Sequence, residues 1–63
     1  MFTSREEIEA QYGQVWETDE LTKDFTVHSF LAPFVLVTRK SDDVKGVLSF
    51  QHRPRFYFNF MEE

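Results

Sequence analysis

Between residues 4 and 15 the apolar side chains recur at helical spacing. Ile8, Tyr12 and Val15 are separated by four and three positions, with Glu6, Glu9 and Gln11 turned away from them. Ser4 and Glu7 stand three apart, so hydroxyl and carboxylate can each satisfy a backbone donor at a helix start. A helix is therefore predicted from about Ser4 to Tyr12. Gly13 is a natural stop because it accepts a left-handed backbone, although the stripe would carry the helix on to Trp16. Thr18-Asp19-Glu20 combines a capping hydroxyl with acidic residues that oppose the positive end of a helix dipole. It predicts a second, short helix to about Lys23.

From Phe25 the period becomes alternating, and β-branched and aromatic residues take over. Four strands follow: Phe25–Leu31, Phe34–Lys40, Val44–Gln51 and Arg55–Phe60. They are separated by Ala32-Pro33, Ser41-Asp42-Asp43 and His52-Arg53-Pro54. Connections this short join antiparallel neighbours, since a parallel crossover needs a dozen residues or more. The expected fold is α+β: one domain over residues 1–63, with an N-terminal helix and a second short helix packed on a four-stranded antiparallel β-meander. The last strand is expected at an edge, where pairing across a two-fold axis would cover it.

Alternation also assigns faces. On the last strand Phe56, Phe58 and Phe60 fall on one side and are expected in the core, with Arg55, Tyr57 and Asn59 on the other. On the third, Leu48 and Phe50 face inward, and Lys45, Val47, Ser49 and Gln51 outward. The second strand is apolar on both sides, Phe34 and Leu36 on one and Val35 and Val37 on the other, so both sides are expected to be covered.

Composition narrows the chemistry. The 63 residues include eight Phe, two Tyr, one Trp and no Cys. That is too apolar for a disordered segment, and it excludes disulfides, thiolate metal sites and a cysteine nucleophile. The longest apolar run, Phe30 to Val37 with Pro33 counted, is far short of the roughly 20 residues of a membrane-spanning helix. The stretch from Met1 to Glu7 lacks the basic start and apolar run of a secretory signal, so a cytoplasmic protein without a membrane partner is expected. With two glycines there is no phosphate-binding glycine loop, and no serine, histidine and aspartate form a catalytic constellation. A core this small is not expected to enclose an ordinary substrate pocket. His28 and His52 have no carboxylate or second histidine at metal spacing. No catalytic residue, metal or cofactor is expected, and the chain reads as non-enzymatic.

The net charge of −4 conceals a division. Residues 1–24 sum to −5, residues 25–60 to +3, and Glu62-Glu63 add −2. An acidic helical layer is thus set against a basic sheet, which bears on partners rather than on fold. The candidate binding residues are Val35, Arg39, Lys45, Val47, Arg53, Arg55, Tyr57 and Asn59. Arginine and tyrosine around small aliphatic residues, with no acid between them, is the make-up of an interface core. The expected function is docking of a protein partner, or of a second copy of the chain, through an open sheet face. The alternatives are a nucleic-acid-binding module in which Tyr57 stacks on bases, and an acidic regulator acting through the helical face. Arg53 and Arg55 are expected to pair with the acidic helical layer.

Overall fold

The computed structural model describes residues 2–63. Its elements run α1 (Arg5–Tyr12), β1 (Val15–Trp16), α2 (Thr18–Asp24), β2 (Phe25–Leu31), β3 (Phe34–Arg39), β4 (Val44–Gln51) and β5 (Phe56–Glu62). The architecture is α+β, with one antiparallel sheet in the order β1-β5-β4-β3-β2.

Helix α1 starts where Ser4 and Glu7 predict, with the Glu7 backbone N–H donating to Ser4 Oγ at 3.4 Å. It stops at Gly13, whose φ of 89° is left-handed and whose N–H bonds to the Glu9 carbonyl. The stripe does not carry the helix further. Val15 and Trp16 turn instead into β1 and pair with Phe58 and Tyr57. The sheet therefore has five strands, not four, and β5 lies inside it between β1 and β4 rather than at an edge. Helix α2 begins after Glu17, one residue before the expected cap, because the Glu20 side chain accepts from the Glu17 backbone N–H at 3.1 Å.

The sheet curls round a core that draws on nearly every element: Trp16, Leu21, Phe25, Val35, Val37, Leu48, Phe50 and Tyr57. Helix α2 runs from the β1 edge to the β2 edge and inserts Leu21 between them. A smaller cluster lies on the opposite, outer face, where Ile8 of α1 covers Val15 and Phe58. Helix α1 packs only against β1 and β5 and leaves the other strands uncovered on that side.

A bulge divides β5. Val47 pairs with Met61 and Ser49 with Phe58, so two residues, Asn59 and Phe60, stand opposite Leu48. Asn59 takes the left-handed conformation at φ 58°. The alternation changes phase there, and the three phenylalanines do not share a face. Phe60 turns to the main core beside Phe25, whereas Phe56 and Phe58 join the outer cluster. Tyr57, expected outside, is 1% exposed.

Candidate functional site

The expected binding face combines residues that the register separates. Val35 stands opposite Leu48, and Tyr57 opposite Phe50, all on the inner side and all buried. Val47 stands opposite Leu36 and Met61 on the outer side. Val35 and Tyr57 are therefore core residues and take no part in a surface. Asn59 is half-buried at the bulge, where its backbone conformation is its structural contribution. Lys45 is exposed at the rim of the outer face.

The arginines are dispersed. Arg39 donates from Nε and Nη2 to the two carboxylate oxygens of Asp42, at 3.0 and 2.8 Å. Its guanidinium also lies 4.9 Å from the Phe60 ring centroid. That hydrogen-bonded pairing holds the Asp42 carboxyl below its ordinary pKa. Arg53 and Arg55 are exposed on the β4–β5 loop and, among the described residues, form no ion pair, contrary to the expected pairing with the helical layer. Arg55 instead donates to His52 Nδ1 at 2.7 Å and lies over the Phe50 ring at 5.7 Å.

The acidic layer is gathered by Arg5. Its guanidinium reaches Glu20 at 2.8 Å, Glu17 at 3.2 Å and Glu9 at 3.4 Å, and donates to the Val15 carbonyl at 2.8 Å. Three of the carboxylates that the sequence presents as a free acidic face are thus drawn to one cation.

What remains open is the outer face of β2, β3 and β4 and the second half of β5. Leu31 pairs with Phe34, and Leu36 with Val47 and then Met61, so apolar side chains form two adjacent rows. Among the described residues there are five large apolar side chains that stand exposed: Tyr12, Phe30, Leu31, Phe34 and Met61. All but Phe30 lie on or beside this face, with Tyr12 bordering it against Phe58. The expectation that β3 is covered on both sides fails here: Val35 and Val37 are buried, but Phe34 is 38% exposed. A depression of about 250 Å³ beside Leu36 is lined by His28, Lys45, Gly46 and Glu63.

No family model, curated protein or solved structure matches the chain. Function is therefore argued from these surfaces alone.

A second, larger cleft of about 530 Å³ opens between the end of α2 and the β3–β4 turn, lined by Trp16, Lys23, Asp24, Arg39, Lys40 and Phe60. The chain is thus large enough to carry an open cleft, though most polar groups in it are already engaged. Trp16 Nε1 donates to Asp24 at 2.8 Å, Lys40 to the Thr22 carbonyl at 2.6 Å, and Arg39 is held by Asp42. The cleft brings together no nucleophile and base in hydrogen-bond contact.

Leu31, Phe34, Leu36 and Met61 were not among the residues expected to bind. For Phe34 and Leu36 the signal lies in β3, which is apolar on both faces while α1, at eight residues, can cover only part of one.

Proposed function

We propose that the protein is a small non-enzymatic interaction module that binds a protein partner through the outer face of its sheet. The observation that carries this reading is the gathering of Leu31, Phe34 and Met61 with half-buried Leu36 and Val47 on one side, uncovered by α1. Contiguous exposed apolar surface on a small domain is costly in water and marks interaction sites. Lys45 and His28 at the rim supply the polar border usual around an interface core. Of the expected binding residues, Val47 and Lys45 belong to this surface.

The other readings have less support. Tyr57, the ring available for stacking on bases, is buried. Arg5 pairs with Glu9, Glu17 and Glu20, and its charge partly offsets theirs, which weakens the acidic face as a polyanion mimic.

The test is affinity capture from native lysate with wild type, Val47→Glu/Met61→Glu and Glu6→Lys. A partner held by wild type and Glu6→Lys but lost at least tenfold by the double variant supports the reading. A set of captured proteins unchanged by the double variant overturns it. Sedimentation at high concentration reads the remaining outcome, pairing of the same face with a second copy.

A further inference from the structure

The two edges of the sheet differ. β1 is two buried residues flanked by both helices, whereas β2 is seven residues long, meets α2 only near its start, and has β3 as its one strand partner. Among the described residues the only other backbone bond to β2 is at its start, where the Phe25 N–H donates to the Leu21 carbonyl of α2, so Thr26–Leu31 pair with β3 alone. Such an edge is a template for another strand unless it is blunted by lysine, proline or a bulge. β2 contains no lysine or proline, and its one irregularity, at His28, leaves Ser29–Leu31 in regular pairing with β3. Phe30 and Leu31 lie on opposite faces, 51% and 63% exposed, so an added strand would meet apolar surface on each side.

Charge decides what that strand carries. Between Phe25 and Met61 the only acidic residues are Asp42 and Asp43, and Arg39 holds the first. At the Phe25 end of β2 stand Lys23 and Lys40, the latter reaching to the Thr22 carbonyl, while the one acid there, Asp24, accepts from Trp16 Nε1 at 2.8 Å. At the Leu31 end the Phe30 ring meets Phe50 edge-on at 5.4 Å, and Phe50 meets His52 at 5.3 Å. Arg55, which lies over the Phe50 ring at 5.7 Å, and Arg53 beside it in the loop therefore stand toward this end, and among the described residues neither forms an ion pair. Antiparallel pairing with a second copy would set Lys23 and Lys40 of each chain opposite Arg53 and Arg55 of the other. Like charges would face each other at both ends, so the edge is poorly suited to itself.

The geometry points to β2 as the acceptor of an extended acidic segment from another protein, added as a sixth strand. Its backbone bonds to Ser29–Leu31, its apolar side chains rest on Phe30 and Leu31, and its carboxylates reach basic groups at both ends. At about 3.3 Å per residue these ends are roughly 20 Å apart, so the segment carries acids at both ends of a six- or seven-residue strand.

The probe is a seven-residue glutamate–valine peptide with glutamates at both ends and valines between, so that apolar side chains fall on both faces. Beside it run a lysine–valine peptide, a glutamate–valine peptide N-methylated on every central residue so that neither edge can donate, and an oligothymidylate. Expected are amide shifts and slowed hydrogen exchange at Ser29–Leu31 with the acidic peptide. Its binding should weaken at least tenfold in Arg53→Glu/Arg55→Glu and on N-methylation, and be retained in Val47→Glu/Met61→Glu. That last variant separates this inference from the outer-face reading. Equal binding of the lysine peptide or of the N-methylated peptide overturns it, as does oligothymidylate displacing the acidic peptide.

Discussion

At Gly46 the sheet leaves no room for a side chain. A Cβ there would collide with the Met61 carbonyl oxygen and come within 2.7 Å of the Phe60 ring. Both follow the bulge at Asn59 directly, so the missing side chain of Gly46 faces the segment that the left-handed residue re-aims. Gly46→Ala is expected to cost about 1–3 kcal/mol as β4 and β5 are forced apart, read as a fall in the urea midpoint at unchanged slope. Asn59→Val should lose roughly 1–2 kcal/mol from its disfavoured φ, with Asn59→Gly close to wild type. Tyr57 offers the sharpest contrast with a surface role. Tyr57→Ala should destabilise by about 3–5 kcal/mol in the same assay, as for an aromatic side chain removed from a core. Tyr57→Phe should change stability by less than about 1 kcal/mol, because its hydroxyl is 3.5 Å from Thr18 Oγ1, at the limit of a hydrogen bond.

Among the elements, α1, β1 and α2 are joined through Arg5, which touches all three or the residues that cap them. Its hydrogen bond to Glu20, with the Glu17 backbone N–H as a second donor, lowers the Glu20 carboxyl below its ordinary pKa. The folded pKa lies below the unfolded one, so the stabilisation is fully present above the unfolded value. It is lost as pH falls below about 4.3 and through the folded pKa. Wild type should thus show a steeper loss of stability on acidification than Glu20→Gln, measured as urea midpoints at successive pH values. Equal slopes would mean that the pair contributes nothing.

The elements also show how far the sequence could be read. α1 was legible because its cap, stripe and stop agree at Ser4, Ile8 and Gly13, and the strands from Phe25 onward because alternation and turn residues agree. β1 was not, since two residues carry no period, and Val15 also fits the helical stripe. The faces of β5 were misread because a bulge leaves no mark in an alternating pattern, although Asn59 is among the residues most tolerant of φ above zero. The candidate site was legible only at Val47 and Lys45. Exposure of Leu36 and Met61 depends on how little of the sheet an eight-residue helix covers, and that is a matter of placement rather than of local pattern.

Over the whole molecule, the apolar outer face and the charged β2 edge should respond differently to salt. Raising the salt from about 0.05 to 0.5 M shortens the screening length several-fold. It should leave partner capture by the outer face nearly constant while weakening acidic-peptide binding at the edge by at least tenfold. Fluorescence anisotropy of a labelled peptide, beside quantitative capture at each salt concentration, reads both. The five-stranded order has a further consequence, for the timing of assembly. Hairpins β2–β3 and β3–β4 join near neighbours in the chain, but β1 pairs with β5, and Val15 and Trp16 find their partners only in Phe58 and Tyr57. During synthesis β1 therefore cannot join the sheet until Phe56–Glu62 has been made, although Trp16 can already meet Asp24 and Phe25. Of the five strands β5 comes latest in the sequence and is inserted between β1 and β4, so the order of strands in the sheet is not the order in which they are made.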